Sequence, residues 1–133
     1  MHARTTRGYL AYAAQVGVTR ENHTNDTTII HQQLQQLDVN TTVAPAGTTM
    51  LLANTHQASS AAKEAKVSMA TLLQDEKHPT GLGAYAAALS LANAILGSCV
   101  VGPQYTVSGV SAAQAELLQQ WACEAFELQA IML

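Results

Sequence analysis

Two cysteines, five histidines and one pair of adjacent acids are the side chains in this sequence best suited to chemistry. The histidines are His2, His23, His31, His56 and His78. No two stand four apart and no His-Glu-x-x-His occurs, so no helix presents a two-ligand face to a metal. Cys99 and Cys123 lie in different predicted elements without Cys-x-x-Cys spacing, which speaks against a zinc site. They are able to form one disulfide, but two buried free thiols are the favoured reading. Asp75 and Glu76 adjoin Lys77 at a predicted helix end, where a solvated cluster is expected and acid–base work is not. Gly81-Leu82-Gly83 precedes a helix and would offer amides to an anion, yet so short a match reads as helix entry. Neither a Gly-x-Ser-x-Gly elbow, nor a phosphate-binding loop, nor a dinucleotide fingerprint is present. No catalytic, cofactor-binding or metal-binding residue is assigned, and the expectation is a protein that is not an enzyme and carries no cofactor.

Three Asn-x-Thr sequons begin at Asn22, Asn25 and Asn40. They would be glycan acceptors in a secreted chain. The opening MHARTTRGYLAYAAQVG has basic residues but only a broken apolar run and no small-residue cleavage pattern. The sequons therefore read as a by-product of threonine richness, and cytoplasmic assembly or a virion is expected over classical secretion. Arg4, Arg7 and Arg20 all precede the first acid, Glu21, whereas the end of the chain is acidic, with Glu116, Glu124 and Glu127. Such an arm suits an acidic neighbour or a phosphate, although solvated arginines are the plainer reading. Three arginines are few for nucleic acid, which requires a clustered patch.

The elements that must position these groups are unusually short of charge. Asp, Glu, Lys and Arg make up 11% of the 133 residues, against about 25% in an ordinary soluble domain. Aromatic residues are 5% and the net charge is -3. Between Pro79 and Ala115 no charged side chain occurs at all. A surface built from Thr, Gln, Asn and Ser repels its neighbours less than a charged one, so this composition favours association.

Periodicity predicts helices throughout. A first helix is expected over 5–17 and a polar connector over 18–25. Asn25 or Asp26 caps a second helix through TTIIHQQLQQLDV, with Ile30, Leu34 and Leu37 on one face. Residues 40–47 read as a linker because Pro45 disfavours helix before it. The longest helix is expected over 49–76, with a largely alanine stripe through Ala58, Ala62, Ala65 and Met69. A fourth follows over 82–97, with Gly97 as its C′ residue. It is apolar or small all round, which predicts burial on every side, shared between the chain's own bundle on one side and neighbouring copies on the other, and a Leu at Ala88 or Ala92 is expected to block its packing. Its length would span a bilayer, but Asn93 is central and no basic cluster flanks it, so no membrane is expected. Residues 98–108 read as irregular or briefly extended. Ser111 and Gln114 form a capping box for the last helix, whose rows are Leu118, Ala122, Ala125, Gln129 and Leu117, Trp121, Leu128, Met132.

The expected fold is all-α: a four- to five-helix bundle over residues 25–133 behind an N-terminal arm of residues 1–24. The expected function is a structural subunit that assembles with copies of itself into a filament, coat or ring. Its contacts would come from Arg4, Arg7, Ala84, Ala88, Ala92, Leu117, Trp121, Leu128 and Met132. The alternative is a helical adaptor that receives a partner helix.

Overall fold

A computed structural model describes residues 29–37, 42–75 and 78–132, without the side chain of Met132. These residues are all-α. Residues 29–36 are helical, and five named helices follow: α1 (Ala46–His56), α2 (Ser60–Ala65), α3 (Met69–Leu72), α4 (Gly81–Leu96) and α5 (Ala112–Met132). A 3-10 turn at Pro103–Tyr105 lies between α4 and α5. No strand occurs among the described residues, and the connection at 98–108 is built around this turn. The expected first helix, the arm, the three sequon asparagines, Arg4, Arg7 and Arg20 lie outside the described residues.

The single helix expected over 49–76 is three helices in the structure. The reason is visible in Val67. At about 100° per residue, a straight helix would set Val67 about 140° round from Ala62. Both are fully buried, so the chain must turn between them. Ser59 Oγ accepts from Ala62 N at 3.2 Å and starts α2. Lys66, at φ 61°, ends it in the left-handed conformation. Its N–H bonds Lys63 O, and Val67 N bonds Ala62 O at 2.9 Å, a Schellman arrangement with lysine where glycine is usual. Gln57 Oε1 accepts from Met69 N at 3.0 Å and ties the two breaks together.

Helices α1, α4 and α5 pack against one another, with α2 on α5 and α3 on α4. The segment covered on all sides is the first half of α1, where Thr48 through Ala53 are all buried. Leu52, Leu72 and Leu118 are the largest enclosed side chains, each stabilising by about 1.5–3 kcal/mol. Thr49 Oγ1 and Ser90 Oγ, 2.7 Å apart, join α1 to α4 inside this core. Each hydroxyl also reaches a carbonyl oxygen, that of Pro45 or of Ala86. Two protons cannot serve three contacts, so two of the three bonds exist at any moment.

Helix α4 begins at Thr80, whose Oγ1 accepts from Gly83 N and donates to Thr71 O. Gly83 lies directly on the Leu72 carbonyl, where any Cβ would overlap the backbone oxygen. The helix ends at Gly97, at φ 70°, whose N–H bonds Asn93 O. Helix α5 opens with the reciprocal box: Gln114 N donates to Ser111 Oγ at 3.1 Å, and Ser111 N donates to Gln114 Oε1 at 3.0 Å.

Candidate functional site

The α4 helix is not enclosed. Gly83, Tyr85, Ala86, Leu89, Ser90, Asn93 and Ala94 face inward, whereas Ala84, Ala88, Leu91 and Ile95 are exposed. Steps of four, three and four residues keep those four within about 60° of one another on the helix surface. Leu91 is 44% exposed, Ile95 71% and the adjoining Leu96 62%. Its neighbours in the chain thus cover one face of this helix only, and the chain by itself does not bury it on every side. The alanines sit toward the N-terminal end of the stripe and the large residues toward the C-terminal end. A partner therefore meets a shallow trough beside a ridge, with no charge in either.

The end of α4 is held firmly. Asn93 Oδ1 accepts from Val100 N at 2.7 Å. The buried Gln119 of α5 accepts from Gly102 N at 2.8 Å and donates to Gly102 O and to Tyr85 Oη, each at 3.0 Å. Tyr85 Oη donates onward to Tyr105 O at 2.9 Å. Gly102 adopts φ 130°, a region that essentially only glycine occupies. Sequence periodicity did not single out Gln119. Its one signal is a polar residue beside the apolar row of Leu118 and Ala122. Among the described residues, Asn93 Nδ2 and Gln129 Nε2 are buried without a hydrogen-bond partner.

Cys99 and Cys123 form a disulfide, with Cα atoms 5.2 Å apart. This corrects the expectation of two free thiols. The 98–108 connection folds back along α5 to meet Gln119, and that return brings Cys99 to Cys123. Sulfur and carboxylate atoms of Cys99, Cys123 and Glu127 lie within 4.8 Å of one another. With the sulfurs bonded to each other, neither is a thiolate ligand, and Glu127 beside Cys123 makes a contact and no hydrogen bond.

The other sequence-selected groups separate. Trp121 is buried in the chain's own core, with its indole stacked on His56 at 6.0 Å between ring centroids. His78 and Asp75 form an exposed pair at 2.8 Å, worth about 0–1 kcal/mol. Gly81 and Gly83 serve helix entry. Leu117 and Leu128 are half-buried, Ala92 packs partly on the core, and the Met132 side chain lies outside the described residues. Along the outer side of α5, Glu116, Gln120, Cys123, Glu124 and Glu127 line an open cleft of about 460 Å³. Among the described residues no helix is long and apolar enough to cross a membrane. No protein-family model, curated protein or solved structure matches the chain.

Proposed function

We propose that this chain is a non-enzymatic structural subunit, a four- to five-helix bundle that assembles with copies of itself into a filament, coat or ring, and that the outer face of α4 is a principal contact. The observation that carries this reading is the uncharged stripe of Ala84, Ala88, Leu91 and Ile95, flanked by Leu96. Large aliphatic side chains clustered on one exposed helix face mark an interaction site. Covering them removes apolar area from water at about 25 cal/mol per Å². Small residues at four-residue spacing let another backbone approach closely. Low overall charge supports the same reading, since copies of the chain repel one another weakly. Arg4, Arg7 and Arg20 complement the Glu116, Glu124 and Glu127 row in sign, which would add a charged contact at the rim.

The test is sedimentation velocity across a concentration series, on the natural protein and on Ile95→Glu. Glutamate at so exposed a position leaves the fold intact but places a charge in the centre of the contact. Concentration-dependent growth of the natural protein, lost in the variant, supports the proposal. A natural protein that stays monomeric throughout overturns it.

A further inference from the structure

We infer that the α4 stripe of one copy receives the helix at residues 29–36 of the next, so that the assembly contact joins two unlike faces. The inference rests on the self-assembly reading above and names its partner segment. A second helix, at residues 29–36, also exposes large aliphatic side chains. Ile30 is 56% exposed and Leu37 73%, with Leu34 between them half-buried. Steps of four and three residues put these three on one side, matching the step pattern of the α4 stripe.

Three features fit the two faces to each other. Neither contains a charged Asp, Glu, Lys or Arg, so docking strands no ion away from water. Their lengths are compatible: at 1.5 Å per residue, Ile30 to Leu37 covers about 10 Å, which fits within the about 16 Å from Ala84 to Ile95. Side-chain sizes complement each other too: Ala84 and Ala88 are small where Ile30, Leu34 and Leu37 are large. Helix stability adds a reason. So short a helix is marginal in water by itself and holds together by packing its apolar side. Pairing α4 with α4 would cover one face and leave this second one bare. Passed on from copy to copy, a contact between unlike faces builds rings or filaments; exchanged reciprocally between two copies, it closes a two-fold dimer.

Two variants test this, Ile30→Glu on the donated helix and Ile95→Glu on the receiving stripe, with circular dichroism confirming that each remains folded. Each alone is expected to self-associate at least about tenfold more weakly than the natural protein. Mixed in equal amounts, they retain one intact pair of faces, so light scattering should show a 1:1 dimer that grows no further. If Ile30→Glu assembles like the natural protein while Ile95→Glu does not, residues 29–36 are not the occupant and the α4 contact alone stands. A mixture that stays monomeric also overturns the unlike-face contact. A natural protein monomeric at every concentration overturns the self-assembly reading itself, whereas both variants assembling normally leaves self-assembly standing and overturns both proposed faces.

Discussion

Removing the Cys99–Cys123 bridge is the perturbation whose size the structure sets most directly. The two residues are 24 apart in sequence. A crosslink over such a loop restricts the unfolded chain by a closure entropy worth about 3.5 kcal/mol at 25 °C. The folded state loses little when the bond is absent, because Asn93 still holds Val100 and Gln119 still holds Gly102. The whole effect thus falls on the unfolded side and appears as lost stability. For a chain of this size it corresponds to a drop in Tm on the order of 10 °C. Thermal unfolding followed by circular dichroism, with and without dithiothreitol, measures it on the natural protein and on a Cys99→Ser, Cys123→Ser double variant. Reductant should lower the natural protein's Tm to near that of the double variant and leave the double variant unmoved. If the reduced protein melts within about 2 °C of the oxidised one, the bridge does not constrain the unfolded chain and the reasoning fails.

Gly83→Ala reverses the usual rule that alanine improves a helix interior by about 1 kcal/mol, because its methyl would overlap the Leu72 carbonyl oxygen; urea unfolding should show a loss of about 1–3 kcal/mol, and a gain would refute the close approach. Gln119→Ala removes three hydrogen bonds at once; we expect a loss of about 2–4 kcal/mol with faster amide exchange at Gly102, and unchanged exchange there would count against the clamp. Ala88→Leu meets no neighbour within the chain, since Ala88 is exposed, so monomer stability should stay within about 0.5 kcal/mol while self-association changes; a large fall in Tm would mean that α4 is covered after all.

Much of the fold was legible where one residue type does one job. Gly97 stops α4, Ser111 and Gln114 cap α5, and the row Leu118, Ala122, Ala125 is buried as its spacing predicts. The breaks in 49–76 were not legible, because the alanine stripe runs through them without a change of phase. Lys66 in the left-handed region carries none of the glycine signal that usually marks such an end. Burial of Val67 decides the matter, and that is a tertiary effect. Which side of α4 the bundle covers was not legible for a related reason. Its apolar circumference carries no mark of the inward side, and the first half of α1, rich in leucine and threonine, is the segment the chain itself encloses. The candidate site was legible in Ala84 and Ala88, while Leu91, Ile95 and Leu96 became part of it only once one side of α4 was seen to be open. The disulfide depends on the path of 98–108, which Gln119 and Gly102 set and no local pattern announces.

Helix α4 is fastened at both extremities: Gly83 lies against the Leu72 carbonyl, and Asn93 and the Cys99 bridge hold its exit. It behaves as a strut. Whatever settles on its outer side meets a surface whose contours are already set, so little freedom remains to be lost on that side at the moment of contact. The adjustment has to come from the arriving segment, and binding kinetics should respond more to how readily that segment orders than to any change in α4.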